Sequence, residues 1–391
     1  MFLNFVWAFL NTFLNGLVAF FAVVIISRNI LPNEFIELST LVTLTTLGNV
    51  FIDFGNSAKC YLKKKISNKS FKKIESNMLS RMFLIVSFIV IICFFLNYFK
   101  NYNNFLIFIF LLDNILFYFI FRPNMIINRR KLFKLRTKYS ILCSIFASLC
   151  SILLSIFVDG KWGFVSLLTI NPILLCIFLR KYLNLRLPDF NFELSLKSKD
   201  IFKPAFLFQL CEIIEDLFKK IILQQTQNIN LSGIYLRNES FLYSPLKIIN
   251  KSLQRVISAS WGPVESNKLT KFRKLTKFIL LFFLVVTFFY YFFGSLMSNI
   301  LLGNKWDMNQ LFFGICAITI GLKFLSLQLS NLIKVKLKDF NFILNVSIFS
   351  TIIPLFILFL TQSYTLLTFL VIYLIMLLLK NTIFIFKLIT I

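Results

Sequence analysis

Five ionisable residues, Glu212, Glu215, Asp216, Lys219 and Lys220, recur at i, i+3, i+4, i+7 and i+8 inside the otherwise apolar stretch Phe202–Leu223. That spacing sets all five on one helical face and leaves Phe206, Leu210, Ile213, Ile214, Leu217 and Ile221 for the other. Carboxylates so placed are of the type that carries a proton or a sodium ion, and the ammonium groups are of the type that holds a phosphate. The same residues have a structural use, because Glu215 and Lys219, like Asp216 and Lys220, are four apart and can pair along the helix. A second set follows. Lys247, Lys251 and Arg255 stand at i, i+4 and i+8, and Arg237 lies five turns before Arg255 on the same face. Ser240, Ser244, Gln254 and Ser258 flank this stripe, and Pro245 is expected to interrupt its helix and free backbone groups toward a cavity. A cationic wall of this kind suits an anionic head group such as a phosphate or pyrophosphate. The plain alternative for Lys251 and Arg255 is snorkelling to the membrane surface. Asp113 is an isolated carboxylate in an apolar run and calls for a proton or a partner across the bundle. Lys323 is similarly placed, and Asp53 is suited to capping or to pairing with Lys59.

The elements that must position these residues are membrane spans. The 391-residue chain is 58% hydrophobic and only 15% charged, with a mean hydropathy of +0.81. Soluble domains carry about a quarter charged residues, so the composition is that of an integral membrane protein. On insertion scales each charge at mid-bilayer costs roughly 2.5–3.5 kcal/mol, so the charged face of Phe202–Leu223 is expected to look into an aqueous interior. Apolar runs of span length predict an all-α, polytopic chain of about twelve transmembrane helices: Leu3–Ile26, Phe35–Phe54, Met82–Phe99, Phe105–Phe121, Tyr139–Val158, Gly163–Leu179, Phe202–Leu223, Gly233–Ser258, Phe278–Leu301, Leu311–Leu329, Phe340–Leu360 and Tyr364–Phe386. The first run is too long for a signal-peptide core and is expected to be retained. The longest connection separates six spans from six, giving an N-terminal lobe of 1–188 and a C-terminal lobe of 189–391.

Of the 42 Lys and Arg residues, 31 fall in alternate loops or the C-terminal tail, Lys380 and Lys387 being assigned to the tail. Only Arg28, Lys100, Lys161 and Lys305 lie in the opposite loops. This asymmetry places both termini and the basic loops in the cytoplasm. It also accounts for the net charge of +26 without nucleic acid. The chain has no histidine, and its seven cysteines are scattered without a CxxC pair, so they read as small buried apolar residues. No nucleotide-binding, hydrolase or metalloenzyme motif occurs. The expectation is a non-enzyme without cofactor or metal, whose transport draws on a gradient.

Four stretches resemble a known family. Arg28-Asn29-Ile30-Leu31-Pro32-Asn33-Glu34-Phe35 is similar to the Arg…Leu-x-Pro-x-x-Phe-Gly loop of Wzx-type polysaccharide (O-antigen) flippases, with Ile36 in place of the Gly. Asp53-Phe54-Gly55 with its following basic run resembles the family's Asp-x-Gly. Leu301-Leu302-Gly303-Asn304-Lys305-Trp306 is similar to its Leu-Phe-Gly-x-x-Trp, and Tyr243-Ser244-Pro245-Leu246 through Arg255 resembles its eighth span. The resemblance implies the multidrug/oligosaccharidyl-lipid/polysaccharide fold, two six-helix lobes around a central cavity. It also implies transfer of an undecaprenyl-pyrophosphate-linked oligosaccharide, an O-antigen or capsule repeat unit, across a bacterial inner membrane by alternating access. Arg237, Lys247, Lys251, Arg255, Lys219 and Lys220 are then expected to bind substrate, and Glu212, Glu215, Asp216 and Asp113 to couple an ion. The lipid bilayer is a partner, and the polymerase and chain-length regulator of the same pathway are candidate partners. A polymerase or ligase of that pathway would need a large outer loop, whereas the outer loops here are short. A MATE-like drug or ion exporter would favour an acidic cavity.

Overall fold

The computed structural model describes residues 2–54, 74–87, 104–130, 132–183, 185, 203–260, 269–337, 340–361 and 365–389, with the side chains of 247–280 outside the description. These residues form helices and no strand. In chain order the helices are α1 (Phe2–Ser27), α2 (Pro32–Asp53), α3 (74–87), α4 (Asn104–Arg130), α5 (Phe133–Phe157), α6 (Gly160–Tyr182), α7 (Lys203–Gln224) and α8 (Ile229–Ser260). They continue with α9 (Leu269–Leu302), α10 (Gln310–Leu337), α11 and α12 (Leu366–Ile389). α11 starts as Phe340–Ser347, passes through a π-helical turn at Ile348–Ile352 and ends as Ile353–Thr361. Eight stretches among the described residues are long and apolar enough to cross a membrane, and α7 and α8, with their charges and polar side chains, are not among them. The chain is a multi-pass membrane protein, and about twelve helices fits its length.

Two compact units divide the residues: Met1–Asn29 with Leu41–Ile213, and Ile30–Thr40 with Ile214–Ile391. In the first unit α1 packs on α5, α5 on α6, and α6 on α4. Lipid is as apolar as leucine, so small side chains that allow close approach hold such helices together. A side chain at Gly163 would meet Ser155 Cβ at 2.5 Å, and Ser166 Oγ donates to Ser151 Oγ at 3.0 Å. The opposite face of α5, with Leu149, Leu153, Ile156 and Phe157 exposed, suits acyl chains. Near the end of α2, Ile52 packs with Met78 and Leu79 of α3 and Tyr118, Phe121 and Met125 of α4.

In the second unit α10 is the central helix. Phe313, Cys316, Ala317, Ile320 and Phe324 are fully buried, and α8, α9 and α12 pack around it. Gly303, at φ 96°, ends α9 and turns the chain into the 3-10 turn Asn304–Trp306, a conformation that L side chains rarely adopt. At the start of α2, Glu34 Oε2 accepts from the Leu31 N–H at 3.0 Å, closing the first helical turn.

Several ends differ from the hydropathy reading. α4, α9 and α10 run beyond their apolar cores through Arg129–Arg130, Lys271–Lys277 and Lys334–Lys336, because a helix leaving the bilayer satisfies its own backbone and need not stop where lipid does. The expected break at Pro245 does not occur: α8 is continuous through it, as α4 is through Pro123 and α6 through Pro172. A proline removes one donor from the ladder, and neighbouring groups can satisfy the carbonyl it leaves.

A buried charge network as the candidate functional site

The charged face of α7 meets charges from three other helices of the second unit. Glu239 of α8 receives two ammonium groups. Lys219 pairs with its Oε2, and Lys323 of α10 reaches its Oε1 at 2.7 Å. Glu215 receives Lys380 of α12 at 2.9 Å, the Thr351 hydroxyl at 3.2 Å and the Tyr373 hydroxyl at 3.3 Å. Asp216 pairs with Lys220 one turn on, at 2.7 Å, and Lys220 also donates to the Ser39 carbonyl at 3.2 Å. Aromatic faces complete the shell. Lys219 Nζ lies 5.7 Å from the Tyr235 ring and 5.3 Å from that of Tyr373, and Lys323 Nζ lies 5.4 Å from Tyr373. Ring quadrupoles at such distances favour the cationic forms.

The elements explain the meeting. The i, i+4 spacing in α7 sets Glu215 and Lys219 a turn apart on one face, so one looks to α12 and the other to α8. Thr351 comes from the π turn of α11, where its hydroxyl also bonds the Ser347 carbonyl at 2.6 Å. π-helical turns are frequent at functional sites, and this one delivers a donor to a buried carboxylate. Burying an ion without its partner costs several kcal/mol, so the members hold one another in place.

The sequence reading turns this face to water; in the structure Lys219 is buried, Glu215, Asp216 and Lys220 are half-buried and Glu212 is exposed. Lys219 is 1% exposed and Glu239 4%. The most exposed side chains of the network are Asp216, at 43%, and Lys323, at 22%. In the pairs described, four ammonium groups (Lys219, Lys220, Lys323, Lys380) meet three carboxylates (Glu215, Asp216, Glu239).

The remaining expected site residues lie elsewhere. Glu212 is on α7 but exposed. Arg237 is 2% exposed, with its guanidinium 5.2 Å from the Phe35 ring centre, and so sits in an aromatic cluster instead of facing an open cavity. Phe35 meets Trp306 edge-on at 6.0 Å, and Asn238 Nδ2 donates to the Trp306 carbonyl at 2.9 Å. Arg237 and Asn238 thus contact Phe35 and Trp306, which belong to two of the stretches that stood out in the sequence. Asp113 is in the first unit, where its Oδ2 accepts from Asn49 at 3.1 Å. The side chains of Lys247, Lys251 and Arg255 lie outside the described residues, as do Lys59, Cys60 and Cys93.

Sequence reasoning passed over Glu239, Tyr373 and Thr351, and it assigned Lys380 to the tail. Lys380 is 7% exposed within α12, because Glu215 neutralises it. A carboxylate two residues after Arg237 in an apolar helix was the signal for Glu239.

The sequence matches a family described as "Polysaccharide biosynthesis protein" over residues 25–310, most of the chain. The chain belongs to that family. The matched stretch holds Glu215, Lys219 and Glu239 but ends before Lys323 and Lys380. Similar solved structures include a multidrug-resistance MATE family transporter of the MOP superfamily, inward-facing, at 14% identity and a TM-score of 0.54, with 99% of this chain and 93% of that one covered. Its outward-facing form gives 14% identity and a TM-score of 0.55 with the same coverage. The MATE multidrug transporter DinF-BH, solved as a complex, gives 16% identity and a TM-score of 0.56, again covering 99% and 93%. These likenesses are of fold: this member of the polysaccharide biosynthesis family has the helical membrane architecture of MATE-type transporters. No curated protein matches the sequence.

Proposed function

We propose that the protein is a flippase that carries an undecaprenyl-pyrophosphate-linked oligosaccharide from the cytoplasmic to the outer leaflet of a bacterial inner membrane by alternating access. The observation that supports this most is that ammonium groups outnumber carboxylates in the described pairs, with Lys323 at the network's exposed edge. A surplus ammonium group inside a membrane protein attracts an anionic head, and an exporter of cationic drugs would be better served by the opposite sign. The family description links the chain to polysaccharide, and the MATE-type fold supplies a framework for alternating access. In this reading Lys323 exchanges Glu239 for a phosphate oxygen as the head group arrives, and Glu239 takes it back as the head leaves. Lys247, Lys251 and Arg255, one turn apart along α8, receive the head on entry, and the polyprenyl tail stays in lipid.

The test is deletion of the gene followed by complementation. Deletion is expected to abolish surface polysaccharide and to accumulate the lipid-linked oligosaccharide. Lys323→Gln, present in the membrane at the normal level, is expected to restore neither. Full restoration by Lys323→Gln would remove the proposed role of the network, and deletion without accumulation would remove the flippase.

A further inference from the structure

Where α4 and α6 leave their apolar cores, at Arg122 and Arg180, the first unit holds a polar cluster that the proposed transport of a head group does not use. Pro123 has no N–H to give to the carbonyl of Phe119, four residues back on α4, and Arg180 of α6 takes that place. Its Nε and Nη2 donate to the Phe119 oxygen at 3.2 and 3.1 Å, and its guanidinium lies 5.3 Å from the Phe119 ring centre. Three residues on, Arg122 Nη1 bridges Glu75 Oε2 of α3 at 3.3 Å, while Arg122 Nε is buried without an acceptor. Tyr118 is 4% exposed, and its hydroxyl, on which the charges of Glu75, Arg122 and Arg180 all act, has no hydrogen-bond partner. The surface of α6 beside the cluster is apolar and open: Ile177 and Phe178 are exposed before Arg180, and Tyr182 after it.

A buried donor without an acceptor keeps its full desolvation penalty, and native proteins seldom leave two together. The bridge to Glu75 is made through Nη1 and serves neither orphan. A phosphate supplies what is missing, because its oxygens accept from a guanidinium N–H and a phenol O–H at once. The apolar flank says what carries that phosphate. Acyl chains cover Ile177 and Phe178, the head group sits at the level of Arg180, and Tyr182 marks the interface, where tyrosine is enriched. Basic pockets between helix ends hold anionic lipid head groups. A zwitterionic head group would bring its own cation against Arg122 and Arg180, so the lipid is an anionic one.

We infer that Arg122, Arg180 and Tyr118 form a site for the phosphodiester of an anionic phospholipid at the basic end of α4 and α6. The site goes beyond the flippase reading: it belongs to the first unit, and its ligand is a lipid of the surrounding bilayer instead of the cargo.

The experiment is native mass spectrometry of the purified full-length chain in detergent with phosphatidylglycerol or phosphatidylcholine added, and thermal unfolding of the same samples. The expected result is saturable binding of phosphatidylglycerol, a midpoint that rises with its concentration, and weaker binding of phosphatidylcholine. Tyr118→Phe removes only the hydroxyl, and Arg122→Lys keeps a cation for Glu75 while removing the Nε–H. Each is expected to bind phosphatidylglycerol about tenfold more weakly, the loss of one hydrogen bond to a charged group. Without lipid, Tyr118→Phe should unfold at or above the native midpoint, since it deletes an orphan group, so its loss of binding is not loss of fold. Two competitors separate the sources of phosphate: inorganic phosphate, and geranyl pyrophosphate as a short polyprenyl pyrophosphate. Neither is expected to displace phosphatidylglycerol. Equal binding of the two lipids, native affinity in either variant, or displacement by either competitor would each overturn the site, displacement by geranyl pyrophosphate in favour of the cargo.

Discussion

Glu239 is the residue on which the second unit's charges converge, since its two carboxylate oxygens accept from Lys219 and from Lys323. Removing one partner of a buried ion pair costs about 3–5 kcal/mol, because the other charge stays buried. Glu239→Gln leaves two ammonium groups facing an amide, so the purified protein is expected to lose stability on that scale in a thermal-unfolding assay. Lys380→Met should cost less: Glu215 keeps the Thr351 and Tyr373 hydroxyls, and hydrogen bonds to a charged group stabilise it by about 1.5–3 kcal/mol. Equal losses in the two variants would contradict this ranking. The acidic and basic face of α7 was legible in the sequence because five charges at helical spacing in an apolar run have few explanations. Their partners were not. Lys380 lies near the end of an apolar run, where a lysine ordinarily snorkels, and only the pairing of α12 with α7 across 165 positions shows that it turns inward.

At the level of elements, the docking of the start of α2 into the second unit rests on a glycine. A Cβ at Gly233 of α8 would collide with the carbonyl oxygen of Pro32, a backbone atom that cannot rotate away. Gly294 of α9 is the contrast: a Cβ there would meet Phe313 Cδ1 at 3.4 Å and Leu242 Cδ1 at 3.7 Å, ordinary contacts. Gly233→Ala is therefore expected to destabilise by about 1–3 kcal/mol through overpacking. Gly294→Ala is expected to be neutral or to gain up to about 1 kcal/mol from helix propensity. Thermal midpoints of the two variants in the same detergent check the sign of each, and a tolerant Gly233 would mean that α2 approaches α8 less closely. Hydropathy located α2, α9 and α10 because their cores are continuous apolar runs. It misplaced the start of α9 and the end of α10, since apolarity marks the edge of the lipid and hydrogen bonding marks the edge of the helix. The π turn in α11 has no hydropathy signature, and its consequence, Thr351 at Glu215, appears only once α11 and α7 lie together.

At the scale of the molecule, the distribution of basic residues makes a claim that is independent of any site. The alternation that collects 31 of 42 Lys and Arg residues in one set of loops and the tail included Lys380, which the structure moves into the network, and losing one residue leaves the asymmetry intact. A flippase for a head group made in the cytoplasm must expose the basic ends of its helices on that side, because those ends meet the cargo first. The turn at Asn304–Trp306 should then lie outside and the end of α6 inside. Both Asn304 and Lys181 are exposed, so a cysteine at either can react in a chain whose native cysteines are replaced by serine. With a membrane-impermeant maleimide on intact spheroplasts, Asn304→Cys should label directly and Lys181→Cys only after permeabilisation. The reverse pattern would set the basic loops outside and deny Lys247, Lys251 and Arg255 a cytoplasmic head group to receive. It would leave the stability predictions for Glu239 and Gly233 untouched, because those depend on packing within one unit and not on which side of the membrane it faces.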